Sequence, residues 1–287
     1  MGGAEVTAGE MLTGIVGDLV AHIEERTPAA VADEPDAVHQ LRTSVRRLRN
    51  VLAAFADHFE PGAVGGLRAR LAEYGDRLGR ARDLEVRTEW CEEVATEVGL
   101  DSVLRGRLVA PLLAAHADAH GALVSWAASP EARQLTAALS AWAGSPALVD
   151  GGDRPAEAVA REAVTAQVDR VLRQVPDYQD DAEAAHSLRK AARRLRHTAD
   201  AVTRPPAEVL GKDAAALGAL GSRIQSLLGD HRDALLLADY VCDSLPDEAA
   251  PRASYLTVVE AARRAADAAK AAVPDVLEEL EAAVRGS

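Results

Sequence analysis

Two stretches carry residue types at a spacing from which chemistry could be built. The first is His39-Gln40-Leu41-Arg42-Thr43-Ser44-Val45-Arg46-Arg47-Leu48-Arg49. The second, His186-Ser187-Leu188-Arg189-Lys190-Ala191-Ala192-Arg193-Arg194-Leu195-Arg196, repeats it with His, four Arg and two Leu in the same places. At about 100° per residue on an α-helix, His39, Arg42, Arg46 and Arg49 fall within an arc of roughly 80°. His186, Arg189, Arg193 and Arg196 do the same, with Lys190 at the border of their stripe. Guanidinium groups about one helical turn apart, roughly 5–6 Å, can each take a different unit of an extended anion by charge-assisted, bidentate hydrogen bonds. The chemistry on offer is therefore recognition of a linear polyanion. No acid lies on either stripe to serve as a general base or a metal ligand, so binding is expected rather than turnover.

Leu41, Val45, Leu48 and Leu52 occupy a separate arc, as do Leu188, Ala192, Leu195 and Ala199. Each stretch is thus an amphipathic helix with its apolar side toward a core. Arg47 and Arg194 fall off the stripes to one side. A second element also recurs, Leu78-Gly79-Arg80-Ala81-Arg82-Asp83 against Leu228-Gly229-Asp230-His231-Arg232-Asp233. A glycine inside such a helical run marks close approach of a neighbour or a kink. Arg80 has no counterpart in the second copy, where Asp230 stands.

The chain has 287 residues, 3% aromatics and a formal net charge of −13. Its wealth of Ala, Leu, Arg and Glu favours helix, and the shortage of aromatics argues against a strand-rich domain. A net charge of this sign ordinarily repels polyanions. Yet residues 37–56 and 184–199 contain no acid at all, so the positive charge is concentrated where the repeats lie.

In chain order, helices are expected at 5–26, from the first stripe to Phe59, at 64–97, 102–127 and 130–142. The clearest break is the Gly- and Pro-rich linker 144–155. Helices then follow at 156–174, through the second stripe to Val202, at 207–245, and as a pair from Ser254 to Arg285 bent near Pro274. One domain, 5–285, is expected to comprise a half at 5–143 and a half at 156–285, an all-α fold of two four-helix bundles related by internal duplication about a pseudo-two-fold axis. Whether the stripes converge or face solvent separately is left open by the sequence.

Cys91 and Cys242 read as small core residues of a reduced interior. His22, His58, His116 and His120 read as surface histidines; His116 and His120 are four apart, but no third metal ligand of suitable spacing accompanies them. The first residues show no basic segment ahead of an apolar run, and no stretch approaches the ~18 apolar residues of a membrane helix. A soluble, cytoplasmic protein is expected.

At these residues the chain resembles the CHAD family, whose marks are a His-x-x-Arg-x-x-x-Arg-Arg-x-Arg helix and a Leu-Gly-x-x-Arg-Asp-like element, both repeated. The resemblance spans nearly the whole chain. It implies an all-helical fold of two four-helix bundles, a basic central channel, and binding of inorganic polyphosphate, with association to polyphosphate granules in the cytoplasm. Carried over by position, the implied contacts are His39, Arg42, Arg46, Arg47, Arg49 and Arg82 in the first half. In the second they are His186, Arg189, Lys190, Arg193, Arg194, Arg196 and Arg232. Asp83 and Asp233 match the motif's acid and are expected to orient basic neighbours. Many relatives are fused to a triphosphate-tunnel catalytic domain with a Glu-x-Glu-x-Lys strand, which this sequence lacks; no catalytic residue, cofactor or metal is expected. The alternatives are a phosphoryl-handling or metal-dependent enzyme using His39 and His186, and a nucleic-acid binder. The latter fits less well because no aromatic residue lies within either stripe for base stacking.

Overall fold

The computed structural model describes residues 6–149, 152–179 and 181–286. Among these the regular structure is helical throughout: α1 (Ala8–Val31), α2 (Ala37–Ala54), α3 (Pro61–Glu97), α4 (Ser102–Ala127), α5 (Pro130–Gly144), α6 (Ala156–Leu172), α7 (Ala182–Thr203), α8 (Lys212–Asp243), α9 (Ala249–Ala271) and α10 (Val273–Gly286). Local chemistry marks many of the starts. Thr7 and Glu10 form a reciprocal capping box on α1, Asp101 accepts from the amides of Val103 and Leu104, Ser129 caps α5 through Ala132, and Asp181 caps α7 through Ala184. Each satisfies amides that the first helical turn leaves without a partner.

Tertiary packing moves several boundaries from those expected. α1 continues through Pro28 to Val31 because Ala30 is wholly buried, and the Thr27 hydroxyl donates to the Ile23 carbonyl at 2.7 Å beside the break. α2 stops at Ala54 and tightens into a 3-10 turn, Ala56–His58. That turn buries both Phe55 and Phe59, the latter 5.4 Å from the Trp142 ring. The final pair parts into α9 and α10 at Ala272, just before Pro274.

Each of two apolar cores draws on both sides of the 144–155 linker. The larger joins α1, α2 and the first part of α3 to α6, α7 and α10; the smaller joins the end of α3 and the start of α4 to the end of α8 and to α9. Across the linker α1 touches α6, α2 touches α7, and α3 touches α8. The apolar arcs of α2 and α7 anchor in these cores: Leu41, Val45, Leu48, Leu52, Leu188, Ala192, Leu195 and Ala199 all have no exposed surface. Gly221 lets α8 lie close on α7, since a Cβ there would sit 2.8 Å from the Ala192 carbonyl oxygen. Their polar faces are consequently fixed in direction. Leu41→Ala or Leu188→Ala is expected to cost about 2–5 kcal/mol, measured as a lower urea midpoint with unchanged slope.

Candidate functional site

With their apolar arcs buried, α2 and α7 turn their basic faces into one cleft of about 460 Å³, walled on its other sides by α3 and α8. α2 contributes His39, Arg42, Arg46 and Arg49, α7 contributes His186, Arg189, Lys190 and Arg193, and α3 and α8 add Arg82 and Arg232. The two stripes thus line a single concavity.

Three of the expected residues do not. Arg196 points along α7 to Asp200, 3.8 Å away, which also holds Arg204 at 2.9 Å. Asp200 lies one residue beyond the acid-free segment, and the corresponding position on α2 is Ala53, so Arg49 is free to face the cleft. Arg47 turns the other way, into a small recess with Asp18, Asp200 and His197. Arg194 lies outside the cleft, where the charges that act on it most are those of Arg170 and Arg68. For Arg47 and Arg194 the cause is their angular offset from the stripe; for Arg196 it is a neighbouring carboxylate.

The Leu-Gly-x-x-Arg-Asp elements seat the arginines. Asp83 Oδ1 forms an ion pair with Arg42 Nη2 at 3.1 Å. Gly79 lies directly beneath that guanidinium, where a Cβ would be 3.3 Å from Nη2, and at Gly229 a Cβ would be 2.9 Å from Arg189 Nη2. These glycines make room for an arginine side chain, not for a backbone. Asp233 stands among Arg189, Arg232 and Arg42 with Asp83 nearby, and burial, the largest influence, raises its pKa. Arg82 is partly neutralised within α3 by Glu85 at 3.0 Å and Glu89 at 3.4 Å.

The centre of the cleft has more positive charge than its acids offset. Burial, then Arg193, Arg42 and Arg189, push Arg46 down to about 8. Burial, then Arg189, Arg42 and Arg49, push Arg193 down to about 10. The buried Nε atoms of Arg42, Arg189 and Arg193 find no acceptor among the described residues. A guanidinium keeps its proton in proteins, so the field falls as a cost on the folded state that an anion would offset. His39 and His186 are lowered from the ordinary histidine value, chiefly by burial and next by Arg82 and Lys190 respectively.

Asp76, Arg87 and Trp90 also line the cleft. They stand at offsets of −7, +4 and +7 from the motif's Asp83 along one face of α3, a helical period that extends the motif's own face. Asn50, one residue past the first stripe, lines it as well, and its Nδ2 donates to His197 Nδ1 on α7 at 2.9 Å.

The remaining histidines and cysteines serve the fold. His116 and His120 are not free surface residues: His120 Nε2 bonds the Ala30 carbonyl at 3.0 Å, tying α4 to the end of α1, and His116 stacks on it at 6.3 Å. His22 bonds the Asp18 carbonyl, and His58 is half-buried. Cys91 is buried and Cys242 half-buried, both unbridged, and burial pushes the Cys91 thiol up to about 11. Among the described residues no group of three or more His, Cys, Asp or Glu is placed to hold a metal ion. α4, contrary to the expectation from sequence, is long and apolar enough to cross a membrane by length and composition, with a mean hydropathy of 1.2 over its most apolar window.

Fold and cleft together define an all-helical domain whose charged interior surface is built from two repeated Arg helices. The CHAD domain family model matches residues 14–242, and the chain belongs to that family. It is 30% identical over 235 residues to the Mycobacterium tuberculosis protein Rv2226, an alignment covering 74% of this chain and 41% of that protein. The chain therefore spans about two fifths of the length of the curated relatives it matches. Among solved structures, the CHAD domain from the plant Ricinus communis superposes with a TM-score of 0.71 at 25% identity, covering 99% of this chain and 93% of that one. PptA from Streptomyces chartreusis gives 0.75 at 20% identity, covering 95% and 99%; at that identity the likeness is one of fold.

Because Arg46 is confined among like charges, Arg46→Met is expected to raise the melting temperature of the ligand-free protein by about 2–4 °C, the shift for roughly 1 kcal/mol in a chain of this size. Differential scanning calorimetry in a buffer without phosphate checks this.

Proposed function

We propose that the cleft binds inorganic polyphosphate and that the protein does so without turning it over. One observation carries the reading: two arginine stripes, far apart in sequence, face each other across one concavity with more cationic charge than the protein's own carboxylates neutralise. A linear polyanion matches a linear array at about one guanidinium per 5.4 Å helical turn. Membership of the CHAD family supports polyphosphate-related binding at the level of the family. The recurrence of both motifs, and the contacts of α1 with α6, α2 with α7 and α3 with α8, support reading the chain as a duplicated half. A cytoplasmic setting, where such polymers are kept, completes the proposal.

Arg42→Glu and Arg189→Glu are each expected to weaken polyphosphate binding by about 10- to 100-fold, since a charge-assisted hydrogen bond contributes about 1.5–3 kcal/mol. They should also reduce the salt slope of the affinity while circular dichroism stays unchanged. Titration calorimetry over a salt series decides it, and unchanged affinity in both variants would remove the cleft as the site. Sustained phosphate release by the purified protein, with or without Mg²⁺, would overturn the non-catalytic reading.

The histidines add a pH dependence. In the free protein His39 and His186 are lowered below 6.5, while a bound polyanion favours imidazolium and raises them. Between those two values binding takes up protons, so affinity should rise as pH falls through that interval and level off below the free-state values. The double variant His39→Gln/His186→Gln should lose that uptake, read as calorimetric proton exchange in buffers of different ionisation enthalpy.

A further inference from the structure

Helix α4 carries an apolar face that none of the described residues covers. Val103 is 64% exposed, Leu113 54% and Val124 38%, and of its most apolar 18-residue window only 22% is buried. Ala110, Ala114 and Ala117 between them are exposed as well. At about 100° per residue these six lie within roughly 50° of one line along the helix. α9 packs beside α8 as α4 packs beside α3, yet it turns Glu260, Arg263, Arg264 and Asp267 to solvent. α9 thus presents mainly charge to solvent, with Leu256 40% exposed, where α4 presents a line of Val, Leu and Ala.

The spacing of the face is palindromic: counting back from Val124 gives the same offsets as counting forward from Val103. We propose that this face binds a second copy of the chain, two α4 helices packing antiparallel about a two-fold axis at Leu113 and Ala114. That axis sets Val103 against the partner's Val124, Ala110 against the partner's Ala117, and Leu113 against the partner's Ala114. The alanines let the two backbones approach while the larger side chains fill the ends.

Charge fits the same axis. Arg107 and Asp118 are both exposed and flank the face on one side, about 70° and 90° from its centre line. Antiparallel two-fold packing keeps that side common to both helices, so each Arg107 meets the partner's Asp118, twice per dimer. Among the described residues neither takes part in an ion pair within the chain. A lipid surface is the poorer occupant, because alanine offers it little apolar area and it has no counterpart for a paired Arg and Asp.

One helix face is smaller than the roughly 800 Å² per partner of a standard interface, so a reversible monomer–dimer equilibrium at micromolar concentration is expected. Sedimentation velocity of the full chain from about 1 to 100 µM should show it. Asp118→Arg, which sets like charges against Arg107, should weaken association at least about tenfold. The double reversal Arg107→Asp/Asp118→Arg should restore it, and Leu113→Glu should give a monomer of native circular dichroism and native polyphosphate titration. A monomer throughout this range, a dimer indifferent to Asp118→Arg, or a folded double reversal that stays monomeric would overturn the proposal. So would a monomer that floats with phosphatidylcholine vesicles, which would assign the face to lipid.

Discussion

The mutual repulsion of Arg42, Arg46, Arg189 and Arg193 is the constraint to which the rest of the structure answers. Two unit charges about 8 Å apart at an effective dielectric constant near 20 repel by about 2 kcal/mol; burial is the largest penalty on Arg46 and Arg193, and several neighbouring arginines add to it. The arrangement persists because each stripe shares a helix with a fully buried apolar arc. Burying a leucine contributes about 1.5–3 kcal/mol, and α2 and α7 together place five in their arcs and a dozen or so further apolar neighbours around them. The cores hold the cations in register against their own field.

Charge alone would not make a site of defined shape. Asp83 draws Arg42 to one position, and Gly79 leaves the space in which its guanidinium lies. The second copy is tighter: the clearance at Gly229 is smaller than at Gly79, and Asp230 adds a second carboxylate near Arg189. Gly221 brings α8 against α7 at a place where α3 carries Leu71. The two sides of the cleft are alike in residue type and different in packing.

Much of the fold was legible because helical periodicity and capping are local. The helix content, the linker and the buried arcs follow from residue order, and ten of the thirteen expected site residues line the cleft. What escaped was decided by the particular contacts a side chain makes, within a helix or between distant segments. Arg196 leaves the stripe for Asp200, a choice that depends on a side chain one turn further on. α1 outruns Pro28 because Ala30 has a core to enter. His120 is held by a carbonyl 90 positions away, which no spacing rule on α4 could supply. Trp90 and Asp76 carried a periodic signal in line with Asp83 but stood outside the motif.

The hydrogen bond from Asn50 to His197 joins the two stripe helices just behind the cleft. An amide nitrogen can only donate, so the imidazole must accept at Nδ1 and carry its hydrogen at Nε2. Burial above all, and then Arg196, Arg47, Arg193 and Arg46, hold this ring well below the usual histidine value. A proton on Nδ1 would set two donors face to face, so this tie between α2 and α7 relies on a ring that its burial keeps neutral. The burial that packs the two stripe helices together thus also protects the polar tie between them from protonation.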